Sequence, residues 1–204
     1  MDYETLKHFS IVSTSDQIRD FLYPYIAGNV LAGVLPEQAA VWSYPVSGKS
    51  IGGEADGASV TAEKVVLNMV NAFLGRMHLA SDLTKLSAEN FALVKEGVEY
   101  SKKLADVKKT ALPYFPLGVT DFSKDTVACG LKVHENGKEK LYLAVWALRG
   151  NCTAKIPVGG ANAGVKVAKV AYPKNLPTEF DLSGGILTVK FAESNSARFF
   201  EIEL

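Results

Sequence analysis

The sequence predicts an α/β segment followed by an all-β segment, and three observations carry that expectation. Up to about residue 120 the apolar residues recur mostly at helical spacing. Beyond it they fall into short β-rich runs separated by turn residues. Ahead of the first helical pattern, Phe9–Asp16 (FSIVSTSD) reads as a buried strand, whose apolar run from Phe9 to Val12 passes through small polar residues to a single carboxylate, Asp16. In barrel enzymes the C-terminal tip of such a strand is where the chemistry sits.

The elements follow in order. Met1 to Lys7 is a polar leader containing Asp2. Gln17–Ser59 is less periodic. With Tyr23-Pro24-Tyr25, Trp42-Ser43-Tyr44-Pro45 and the glycine-rich Gly48–Gly57, it reads as loops around a site, with a helical turn near Pro36–Ala39. From Thr61 to Leu79, Val65, Val66, Met69, Val70, Phe73, Leu74 and Met77 form the wide apolar stripe of a buried helix, broken by Ser81-Asp82. A second helix starts at Ser87 as N-cap, with Glu89 in the first turn, where the helix dipole favours an anion. Phe91, Val94, Val98 and Leu104 give it one apolar face, and Lys102, Lys103, Lys108 and Lys109 read as its solvated C-terminal half. Pro113 and Pro116 close the helical region.

Strand character then takes over at Thr126–Val133 and Leu141–Leu148, joined by Glu135-Asn136-Gly137-Lys138, whose Asn-Gly pair specifies a tight hairpin. Further runs lie at Thr153–Val158, Val165–Tyr172, Ile186–Phe191 and Arg198–Leu204. Short strands with regular turns of this kind argue for an antiparallel β-sandwich.

Composition narrows the function classes. Of 204 residues, 48% are hydrophobic, enough for a sizeable core, and 22 basic residues balance 22 acidic ones. Without a basic excess, neither nucleic acid nor an anionic membrane surface is an expected partner. No apolar run is long enough to span a bilayer, and no secretory signal opens the sequence, so a cytoplasmic location is expected. Cys129 and Cys152 lack metal-type spacing and read as free thiols. Asn151-Cys152-Thr153 has the form of a glycosylation sequon, which matters only in a secreted eukaryotic protein. His8, His78 and His134 are scattered singly and form no metal set. GKS at 48–50 lacks the upstream glycine of a phosphate loop.

Several segments in series resemble a known family. STSDQ at 13–17, LYPYIAGN at 22–29 and PEQAAVWSYPV at 36–46 resemble the late catalytic barrel of bacterial α-galactosidases of glycoside hydrolase family thirty-six. VNAFLGRMHLASDLTKLSAENFALVKEGVEYSKKL at 70–104 resembles the barrel's closing helices. LPYFPLG at 112–118, GLKV at 130–133 and YLAVWALRG at 142–150 resemble the junction and first strands of the family's C-terminal β-sandwich. The resemblance implies the C-terminal part of a (β/α)8 TIM barrel over residues 1–118 and an antiparallel β-sandwich over residues 119–204.

It further implies a retaining hydrolysis of terminal α-linked galactosides. Two carboxyl groups flank the anomeric carbon, ~5 Å apart, one as nucleophile and one as acid/base, with no cofactor or metal. The Ser-Asp element places Asp16 in the acid/base role. A carboxyl that donates a proton needs burial or a neighbouring anion to hold that proton near neutral pH. Ser15 and Gln17 are candidate sugar contacts, with a loop hydrogen bond to backbone as the alternative for each. Trp42 is placed in a loop as a stacking platform for a pyranose or, equally, as packing beneath that loop.

The sequence also departs from the pattern. Nothing in residues 1–15 matches the lysine-tryptophan-aspartate element that carries the nucleophile. Gln17-Ile18-Arg19-Asp20 replaces a threonine-aspartate continuation, and Trp42 stands where other members carry a histidine-containing element, which suggests a subgroup. The chain is therefore expected to lack glycosidase activity by itself. Its expected partners are an α-galactoside oligosaccharide or glycoside, and either a second copy or a missing N-terminal half. Two further readings stay open: a non-catalytic carbohydrate-binding or interaction module, and the second half of a split glycosidase. Galactose and N-acetylgalactosamine are not distinguished.

Overall fold

The computed structural model describes residues 3–17, 22–46, 60–135, 137–159 and 167–204. The expectations that fall on Met1, Asp2, Gly48–Gly57 and Asn136 lie outside them. The architecture is mixed α/β with mostly antiparallel sheet. Among the described residues the parallel strands form a three-stranded sheet and no closed barrel.

Helix α1 (Tyr3–His8) leads into β1 (Val12–Ser13). The expected strand is thus shorter than its apolar run, and Phe9 is exposed. Helix α2 (Tyr23–Asn29) and a 3-10 turn at Val30–Ala32 precede β2 (Ala39–Ser43). The loop expectation for Gln17–Ser59 is corrected within residues 22–46, and residues 18–21 and 47–59 of that range lie outside the described residues. Pro24 sits in the first turn of α2, where its missing N–H costs nothing. Ala39, Ala40 and Val41 form a strand buried on both faces, so they show no alternation.

Helix α3 (Ala62–Asn71) is capped by the Thr61 hydroxyl, which accepts from the Lys64 N–H at 3.2 Å. It stops well short of Leu79, and Arg76–Leu79 forms β3 instead. The apolar stripe misleads because α3 is buried all round and Met77 belongs to the next strand. The parallel sheet has the order β1-β2-β3, with Val12 opposite Ala39 and Trp42 opposite His78.

Helix α4 (Ala88–Lys108) starts where expected, with the Ser87 hydroxyl accepting from the Asn90 N–H. Its buried face is Leu93, Val94, Gly97, Tyr100, Leu104 and Val107, while Phe91 is exposed. The expected solvated lysine end is corrected at one position: Lys108 is buried.

The remaining strands are β4 (Leu112–Tyr114), β5 (Thr126–Glu135), β6 (Lys138–Ala147), β7 (Thr153–Pro157), β8 (Val167–Tyr172), β9 (Glu179–Ser183), β10 (Ile186–Lys190) and β11 (Ser196–Glu203). All pair antiparallel, in a five-stranded sheet β4-β5-β6-β11-β8 and a three-stranded sheet β7-β10-β9. Glu135 pairs with Lys138 at the expected hairpin, and Gly137 there has φ +76°. Pro113 is accommodated because β4 is an edge strand. Strands β4 and β9 have no counterpart among the sequence expectations. Cys129 and Cys152 are both free.

The central strands β5, β6 and β11 of the five-stranded sheet are buried on both faces over most of their length. Along β6, Leu141, Leu143, Val145 and Ala147 join Ile156, Leu187 and Val189 of the three-stranded sheet in one cluster. The alternate residues Tyr142, Ala144 and Trp146 join the helices in another. That second cluster runs without interruption from β1 and β2 through α2, α3 and α4 to β5 and β11, across residue 118.

Close approaches fix the helices in place. A Cβ on Gly28 of α2 would lie 2.6 Å from Val127 Cγ1 on β5. Asn29 donates to the Thr120 carbonyl and accepts from the Thr120 N–H, and the Tyr25 hydroxyl donates to the Lys124 carbonyl. The Trp146 indole N–H donates to Asn71 Oδ1 at 2.9 Å. No helix among the described residues is long and apolar enough to cross a membrane.

Candidate functional site

The three parallel strands present their C-terminal ends together, and the sequence-derived candidates lie there. At the end of β1, the Thr14 N–H and hydroxyl both donate to the Ala40 carbonyl, at 3.3 and 2.7 Å. This extends the pairing by one residue. The chain then turns, and the Ser15 hydroxyl accepts from the Gln17 N–H at 2.9 Å. That is the local hydrogen bond considered for Ser15. Ser15 and Gln17 are half-buried, and Asp16 between them is solvent-exposed.

Trp42 is corrected from a loop to β2, where it is half-buried. Its indole N–H donates to Ser13 Oγ at 3.3 Å, so it spans from its own strand to β1. Its ring lies nearly parallel to Tyr44, at 6.3 Å and 18°, and takes His78 of β3 edge-on at 5.1 Å. The Tyr23 hydroxyl of α2 accepts from the Trp42 backbone N–H at 2.6 Å. Burial pushes the Tyr23 phenol up to about 12, and it stays neutral as an acceptor. The Tyr44 phenol is also raised, first by burial and then by the charge of Asp16. The Asp16 carboxylate is therefore electrostatically coupled to the aromatic group.

The arrangement is an aromatic shelf, Trp42 and Tyr44, edged by His78, with one carboxylate beside it. Such a shelf can take the apolar C–H face of a sugar ring, and such a carboxylate can accept or pass a proton. The sequence placed Tyr23 and Tyr44 only within segments read as loops around a site, and it gave His78 no role. Their convergence depends on the β2–β3 register, and neither strand shows a period-2 pattern. A shallow cavity of about 280 Å³ lies nearby, lined by Thr14, Tyr25, Asn29 and Phe122 among others. Asp16 does not line it. Among the described residues no group of three or more His, Cys, Asp and Glu side chains is placed to hold a metal ion.

No family model matches the sequence, and no curated protein matches it either. Solved structures do match. The galactosidase domain of the α-galactosidase-sucrose kinase AgaSK superposes with a TM-score of 0.58 at 15% identity, over 93% of this chain and 25% of that one. A variant of the family 36 α-galactosidase AgaA from Geobacillus stearothermophilus, in complex with raffinose, gives a TM-score of 0.58 at 11% identity, over 88% of this chain and 24% of that one. The chain shares a fold with a part of these glycosidases and spans about a quarter of their length.

Proposed function

We propose that the chain is the C-terminal portion of a retaining α-galactosidase-like hydrolase acting on terminal α-linked galactosides. In this reading β1, β2 and β3 are the last strands of an eight-stranded (β/α) barrel over residues 1–118, whose final segment β4 pairs onto β5, and β5–β11 make up a C-terminal β-sandwich over residues 119–204. Asp16 is the acid/base. Trp42 is the platform under the sugar ring, and Ser15 and Gln17 contact its hydroxyls. The observation that carries the reading is the placement of a carboxylate and an aromatic shelf at the C-terminal ends of three sequential parallel strands, in a fold shared with two α-galactosidases.

The chemistry needs a second carboxylate on the opposite side of the anomeric carbon, as nucleophile. Asp16 gives its proton to the leaving oxygen and later takes one from water. Asp16 is exposed among the described residues, so the dry surroundings that would hold its proton must come from polypeptide carrying the earlier strands, on the same chain or a partner. A titration with raffinose, followed by tryptophan fluorescence, tests the sugar site. Quenching or a blue shift that disappears in Trp42→Phe supports the reading, and an unchanged spectrum in the folded chain defeats it.

A further inference from the structure

A cavity of about 660 Å³ lies away from the strand tips, between α4 and the parallel sheet. Trp42 meets His78, so Met77 and Leu79, which alternate with His78 along β3, face the opposite side of the sheet. There they line the cavity with Val98 and Ala105 of α4, and these four form its apolar wall. Lys108 lines the same cavity. It is 6% exposed, its ammonium donates to the Gly75 carbonyl, and no acid of the described residues is within ion-pair range.

The other charges around the cavity are accounted for. Lys102 pairs with Glu99 and Lys109 with Asp106, both at 2.7 Å on the surface. Arg76 donates to the Ser10 carbonyl, and Glu37 is an exposed residue of the rim. A buried ammonium with one carbonyl partner and no counter-charge is costly, and an anion entering the cavity would relieve that cost.

We propose that this cavity binds a small amphiphilic carboxylate, its head on Lys108 and its aliphatic tail along Met77, Leu79, Val98 and Ala105. The apolar wall excludes a bare inorganic anion as the best fit, and the uncompensated Lys108 ammonium excludes a neutral alkane. Burial pushes the Lys108 amine down to about 8, so part of it is unprotonated and acylable near neutral pH, and the charge of a bound carboxylate would favour the ammonium form, its proton taken from solvent.

Trace acetylation with acetic anhydride, read residue by residue by mass spectrometry, tests this on the intact chain. Octanoate at saturation is expected to slow acetylation of Lys108 by at least about fivefold and to leave Lys102 and Lys109 unchanged. Acetate, a head without a tail, and octanol, a tail without a head, are expected to protect little at the same concentration. A lack of protection by octanoate overturns the proposal, and so does equal protection by acetate or by octanol. In Lys108→Met the octanoate-induced rise in melting temperature is expected to vanish, and a retained rise overturns the proposal as well. The acetylation readout is independent of whether that variant folds.

Discussion

Glu63 in the first turn of α3 and Arg198 on β11 form a buried, two-pronged ion pair. Nη1 and Nη2 each donate to one carboxylate oxygen at 2.7 Å. Arg198 Nε also donates to Thr178 Oγ1 at 2.7 Å, and the guanidinium lies over the Phe191 ring. Nη1 and Nη2 donate further to the Ala197 and Pro177 carbonyls, so every guanidinium N–H is engaged, which is the condition under which a buried pair can repay its desolvation. The pair joins the helical layer to the five-stranded sheet.

Arg198→Met should lower stability by about 3–5 kcal/mol, because it strands the Glu63 carboxylate in the core. The double variant Glu63→Gln/Arg198→Met should lose less than the sum of the two single changes. Urea unfolding of all four proteins checks this, and strict additivity would show that the two side chains do not interact.

Gly28→Ala should cost about 1–3 kcal/mol, because its new methyl meets Val127 at 2.6 Å in a filled core. Gly33→Ala, whose Cβ meets nothing within 4 Å, is the control and should shift the urea midpoint little. Equal shifts in the two variants would refute the close packing of α2 on β5.

Stability should rise with pH between about 8 and 10. The folded-state pKa of Lys108 is lowered from 10.5 to about 8 by burial. Over that window the unfolded chain binds the proton that the folded chain has released, so raising pH favours folding. Below pH 8 the burial penalty is present in full, about 3 kcal/mol. Above pH 10 the trend should reverse, because buried Tyr23, raised to about 12, stays protonated while the unfolded chain ionises. Lys108→Met should flatten the rise, and an unchanged slope in that variant would remove Lys108 as its source.

The chain alone should not turn over an aryl α-galactoside faster than its Asp16→Ala variant, since removing the nucleophile typically costs several orders of magnitude. Turnover well above the variant would require a second carboxylate supplied from within these residues.

What was legible in the sequence was whatever local chemistry alone specifies. Ser87 announces α4 because a cap acts within one turn, and Asn136-Gly137 announces the β5–β6 hairpin because the turn demands those residue types. Strands β2 and β3 were hidden. Ala39–Ser43 is buried on both faces and shows no period, and Arg76–Leu79 follows so closely on α3 that Met77 continues the helical spacing. The site shared this fate. Asp16 could be named from its strand-like run and from the resemblance, and Trp42 from its aromatic face alone, whereas Tyr44 and His78 join them only through a pairing register. Lys108 looked like one more surface lysine in a run, since nothing local distinguishes it from Lys102 or Lys109.

The single cluster that links α3 to β11 has a bearing on biosynthesis. Helix α3, with Val65, Val66, Leu67 and Val70 buried, leaves the ribosome well before Ser196–Glu203, one of the strands it packs against. For that interval the nascent polypeptide can lay α3 against β2, α2 and α4, but the face that meets β11 stays open. Closure of that core therefore waits for Ser196–Glu203, and a chain ending before them would leave this face of α3 uncovered.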